Sequence, residues 1–157
     1  MKCNKLGEAE FKLIIPKRDN SKKPIKKQVL LKYVNKMNNI FGGSTTYPSV
    51  YGCYKNNSGK FQCENNFVIT GVRDFQSKYN KELNQYRCSQ RTRRLKQDYN
   101  RLKSLGLKAS KELGQDAVMI ESDFINDASF VGKKKAFKEK LSKNKTNRKI
   151  IDFEDFI

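Results

Sequence analysis

Two hydrophobic periods alternate along this chain, and each change of period marks the edge of an element. The run Phe11 to Pro16 (FKLIIP) is a short β-rich segment closed by proline, and the lysine-rich stretch from Lys17 to Lys23 reads as the loop after it. Pro24 suits a first helical turn, and Val29, Leu30, Tyr33, Val34, Met37 and Phe41 recur at helical spacing before Gly42-Gly43. Thr45 to Tyr54 and Phe61 to Val72 are rich in β-formers and are separated by Asn56-Asn57-Ser58-Gly59, which predicts a β-hairpin. From Phe75 to Leu113 the helical period returns, as one long helix or as two broken near Cys88 to Thr92. Gly114 caps it, and Ala117 to Glu121 (AVMIE) predicts a last buried strand.

The resulting order β, α, β, β, α, β is the ferredoxin-like plan, an α+β fold with an antiparallel sheet and helices packed on one face. The expected domain covers residues 1–124. Residues 125–157 form a basic C-terminal extension, weakly apolar, read as a short helix or a tail, and closing on the acidic DFEDFI. Cys3, Cys53, Cys63 and Cys88 have no CxxC spacing, which argues against a zinc site. A three-residue loop with Gly59 left-handed would set Cys53 opposite Cys63, as a cross-strand disulfide or as two packed thiols.

Charge changes the picture from fold to partner. The 157 residues hold 34 Lys or Arg, 16 Asp or Glu and no His, a formal charge of +18. Without His, the Ser/His/Asp and Cys/His triads, the HExxH proteases and imidazole general bases are excluded. The charge is located: residues 1–43 and 76–115 each carry a surplus of eight positive charges, while 44–75 are nearly neutral. Basic helices flanking a neutral hairpin point to a polyanion, nucleic acid before membrane, against the alternative of a solvated lysine-rich surface. No apolar run is long enough for a transmembrane helix or a secretory signal, so an intracellular protein is expected.

The segments Phe41-Gly42-Gly43-Ser44-Thr45-Thr46, Gly52-Cys53-Tyr54, Gly59, Glu64, Val68-Ile69 and Leu113 to Val118 resemble a family of small bacterial and archaeal α+β domains of unassigned function. That resemblance implies the fold and singles out Glu64 as an acidic position on the hairpin's second strand. Phe41-Gly42-Gly43-Ser44 also looks like the helix end of nucleotidyltransferases. The carboxylate pair that should follow is absent, which favours a plain helix cap. By length and Lys/Asn/Ile-rich composition the chain is similar to the small DNA nucleases of filamentous viruses infecting hot-acid archaea. That likeness implies cleavage of double-stranded DNA on a scaffold distantly like the nucleotidyltransferase topology, with an essential glutamate.

The candidate chemistry is therefore phosphodiester hydrolysis by a DNA-binding nuclease with carboxylate-held Mg²⁺ or Mn²⁺. Glu64, Asp74 and Glu82 are the candidate catalytic acids, with Glu64 and Asp74 as metal ligands. Arg87, Arg91, Arg93, Arg94, Lys96, Arg101 and Lys103, with Lys26 and Lys27, are the candidate phosphate contacts, and Arg87, Arg91 and Arg94 share one helical stripe. The alternative is a non-enzymatic nucleic-acid-binding protein in which these acids are structural.

Overall fold

The structure, a computed structural model, describes residues 7–55, 58–76, 86–115, 117–123 and 127–132, with the backbone alone at Tyr54, Ala117 and 127–132. Its elements are β1 (Glu8–Pro16), α1 (Lys27–Phe41), β2 (Thr45–Lys55), β3 (Phe61–Asp74), α2 (Cys88–Glu112), β4 (Ala117–Ser122) and β5 (Asp127–Gly132). The sheet order is β2-β3-β1-β4-β5, antiparallel throughout. Its first four strands have the expected α+β, ferredoxin-like arrangement, with the two described helices on one face. The fifth strand lies in the segment expected to be a helix or tail, where Phe130 and Val131 supply a short β-forming run.

Alternation along β1 builds the main core. Ala9, Phe11, Leu13 and Ile15 point under the helices and are essentially unexposed, and Ile69 of β3 and Val118 and Ile120 of β4 share their side. Tyr33, Met37 and Phe41 of α1 and Leu95, Tyr99, Leu102, Leu105 and Ala109 of α2 close that core at helical spacing. Gly71 is where β3 meets α1 most closely: a Cβ there would lie 2.3 Å from the Phe41 ring. α1 stops at Phe41 because Gly42 turns left-handed at φ 82° and its N–H reaches the Asn38 carbonyl at 2.7 Å. The Gly42-Gly43 turn is thus a helix cap, as its sequence suggests.

The opposite face carries a smaller apolar cluster of Ile14, Val68 and Met119, with Val50 against it. Facing pairs show the registers: Ile14 with Val68 and Met119, Val50 with Asn66, Gly52 with Glu64. Cys53 and Cys63 also face each other and form a disulfide, with Cα atoms 4.0 Å apart, and Gly59 in the connecting turn is left-handed at φ 80°. Cys88 is likewise disulfide-bonded rather than free. Among the described residues, no helix is long and apolar enough to cross a membrane.

Candidate functional site

β3 carries both faces' chemistry because successive side chains point to opposite sides. On the helix side, Arg73 is buried and forks Asp98 of α2: Nε donates to Oδ2 at 2.8 Å and Nη2 to Oδ1 at 3.1 Å. Nη2 also donates to the Ile40 carbonyl at 2.6 Å, and the guanidinium lies 5.5 Å from the Phe41 ring centre. Asp98 is wholly unexposed, and Arg94 approaches it at 3.6 Å from one turn earlier. This cluster ties β3, α1 and α2 together, and its one carboxylate is committed to the two guanidinium groups.

On the other side stands Glu64, half-buried, directly across from Gly52 of β2, which presents no side chain. Asn66, two residues along the same face, is nearly buried and donates to the carbonyls of Val50 at 3.3 Å and Glu64 at 3.2 Å. Burial pushes the Glu64 carboxyl above its ordinary range, opposed by the charge of Lys22 in the loop after β1. Among the described residues no cation sits within ion-pairing distance of it. Tyr47, half exposed, and Val50 continue this face of β2 toward the Ile14, Val68 and Met119 cluster. Thr70, further along β3, keeps a buried hydroxyl without a hydrogen-bond partner among the described residues. The arrangement is a half-desolvated carboxylate beside an apolar floor, suited to a cationic organic ligand.

The remaining sequence candidates do not converge on Glu64. Asp74 shares its strand and face, but ten residues of extended chain separate them by about 33 Å, so one ion cannot bridge both. The Asp74 carboxylate instead accepts the Gln76 N–H at 2.8 Å, closing the turn after β3. Glu82 lies outside the described residues. No group of three or more His, Cys, Asp or Glu side chains that could hold a metal occurs among the described residues.

The basic candidates are dispersed as well. Arg91 donates to the Tyr86 carbonyl at 3.0 Å and lies 5.4 Å over Phe75, and Arg94 turns toward Asp98, so two members of the proposed stripe serve packing. Arg87, Arg93, Lys96, Arg101 and Lys103 are exposed along α2, with Lys103 4.7 Å from the Tyr99 ring centre. Lys26 and Lys27 are exposed at the start of α1, beside the end of α2, where Lys32 meets Glu112. They are thus at the opposite end of the helix layer from Arg87 and Arg93. Sequence reading passed over the Arg73–Asp98 pair, although both sit at positions their own periods assign to the core.

No protein-family model matches the chain, and no curated protein matches it. Solved structures similar to it include a phage SAM lyase in complex with S-methyl-5'-thioadenosine, with a TM-score of 0.54 and 15% identity over 81% of this chain and 91% of that one. Another is a phage SAM lyase in the apo state, with a TM-score of 0.54 and 12% identity over 82% and 92% of the two chains. At these identities the likeness establishes the fold. It also corrects the expectations drawn from composition: the fold's counterparts are SAM lyases, not DNA nucleases of archaeal viruses, and the molecule held by one of them is a small nucleoside thioether, not duplex DNA. The resemblance to a family of unassigned α+β domains also finds no matching family. Net charge misled here because it reports solubility and long-range attraction, not which site performs chemistry.

Proposed function

We propose that this protein is an enzyme that binds S-adenosylmethionine and cleaves it to S-methyl-5'-thioadenosine. The observation that carries the reading is the likeness in fold, over four fifths of this chain, to a SAM lyase that holds this thioether. Glu64 supports it from the chain's own side. A half-buried carboxylate lacking an ion-pair partner among the described residues is matched to a ligand that carries a sulfonium and an ammonium group.

The chemistry asks little of the protein beyond placement. Release of S-methyl-5'-thioadenosine breaks the bond between the sulfonium sulfur and the γ-carbon of the methionyl chain, and the electron pair stays on sulfur. The substrate's own carboxylate closes on that carbon to give a five-membered lactone, so atoms and charge balance without added water or proton transfer. Opposite charges vanish in this step, and a low-polarity floor such as Ile14, Val50, Val68 and Met119 favours it. Glu64 takes the α-ammonium, which aims the substrate carboxylate at the γ-carbon.

Incubation with S-adenosylmethionine and chromatographic assay of S-methyl-5'-thioadenosine tests this. Glu64→Gln is expected to slow formation by about 10²-fold, the loss typical of one well-placed charged group, with the fold retained by circular dichroism. Product no faster than in buffer, together with no saturable binding of S-adenosylmethionine or S-methyl-5'-thioadenosine, would sink the proposal.

A further inference from the structure

The two helices run antiparallel over the sheet, and their acids are spent at the two ends of the seam between them. At one end Glu112 accepts from Lys32 Nζ at 2.8 Å and from the Tyr33 hydroxyl. The hydrogen bonds from these two residues hold the Glu112 carboxyl below its ordinary range, with Lys36 adding a longer-range pull. At the other end Asp98 is enclosed by Arg73 and Arg94. α1 has no acid at all, and α2 has no other.

Between these ends lies a groove of about 400 Å³. Lys36 of α1 faces Arg101 and Lys108 of α2 across it, and no carboxylate lines it among the described residues. None of the three cations forms an ion pair among the described residues. Ile40 and Leu105 provide an apolar floor, while Asn39, Asn100 and Ser104 add neutral donors and acceptors. Three like charges gathered on one wall pair repel one another, and among the described residues the offsetting carboxylate that acts on Lys36 is Glu112, already engaged by Lys32 and Tyr33 at the end of the seam.

We propose that this interhelical groove is a binding site for a phosphate-bearing small molecule of nucleotide size, separate from the Glu64 face and independent of the reading proposed for it. Arg101 and Lys108 are seven residues apart, about 10 Å along the helix, which suits a chain of two or three phosphates. Arg101 supplies a planar fork and the two lysines supply point charges, the combination that grips phosphate oxygens from two sides. The amide side chains and the apolar floor are placed to receive a base or sugar attached to those phosphates.

The test is calorimetric titration of the full chain with ATP, inorganic tripolyphosphate and adenosine, at constant ionic strength and without divalent metal. Saturable one-to-one binding of ATP is expected. Lys36→Gln, Arg101→Gln and Lys108→Gln should each weaken it by about fivefold or more, and the triple variant should abolish it. A charge-matched triple variant elsewhere, Lys27→Gln with Lys96→Gln and Lys103→Gln, should change it less than twofold. Tripolyphosphate binding as tightly as ATP would support the site with the phosphate chain as the whole determinant; weaker binding would support it with the nucleoside contributing. Absence of saturable binding by both, adenosine binding as tightly as ATP, or equal weakening by the matched variant would overturn it. The replaced side chains make no ion pair among the described residues, so the single variants should melt like the parent and keep the comparison valid.

Discussion

Arg73 and Glu64 occupy the same strand and differ in what their burial has been given to meet it. Arg73 faces the helices, where Asp98, the Ile40 carbonyl and the Phe41 ring satisfy it from three directions. Glu64 faces the other way, across from a glycine, desolvated, with Lys22 acting on it and no ion-pair partner among the described residues. One side of β3 has closed its electrostatics within the chain, and the other has left a term open. A closed pair fixes the fold, whereas an open one has something to give a ligand.

The largest expected effect breaks the closed side. Asp98→Ala strands a buried guanidinium and should cost about 3–5 kcal/mol in urea unfolding. Replacing both partners with apolar residues, Arg73→Met with Asp98→Leu, should recover most of it; a double variant as unstable as the single one would mean that the pair is not what Asp98 supplies. Next comes the close approach that brings α1 down beside Arg73. Gly71→Ala places a methyl against the Phe41 ring and should cost about 1–3 kcal/mol, relieved when Phe41 is also shortened to Leu.

A subtler change sharpens the open side. Burial raises the Glu64 carboxyl above its ordinary value of 4.5, so the folded state holds the proton more tightly than the unfolded state. Its contribution to stability is therefore present below about pH 4.5 and lost as pH rises through the raised folded value. Glu64→Gln should remove this decline, visible as a flatter melting temperature from pH 4.5 upward; an unchanged profile would show that Glu64 is not desolvated. The smallest effect concerns the exposed bridge between the helices. Lys32→Gln should cost less than about 1 kcal/mol by urea titration, because that pair is largely solvated. Glu112, whose folded value is lowered, should lose its small contribution only as pH falls through that lowered value.

Much of the fold was legible along the chain. The apolar stripe of α1 and the caps at Gly42 and Gly114 have their expected places, and the hairpin register that faces Cys53 with Cys63 follows from the turn between them. Within the described part of the long helical stretch a helix runs from Cys88, residues 77–85 lie outside the described residues, and Phe75, expected at the start of the stretch, is instead a core residue beyond the end of β3. The Arg73–Asp98 pair was legible in principle. Arg73 has the parity of Ile69 and Gly71 on the core face of β3, and Asp98 lies on the stripe of Leu95, Leu102 and Leu105. A charge on each of two core-facing patterns asks for a partner, and these two are partners. The candidate site was legible only at Glu64; its separation from Asp74 follows from both lying at opposite ends of one long strand.

By itself the sequence determined the elements, their apolar faces and the large surplus of positive charge, because period and composition are properties of one segment read alone. Which charges cancel was decided by the tertiary structure. Packing brings Asp98 to Arg73 and Glu112 to Lys32, and leaves Glu64 beside Gly52 and three cations along a groove whose described lining holds no acid. Electrostatic energy depends on distance and desolvation, and both arise only where separate elements meet.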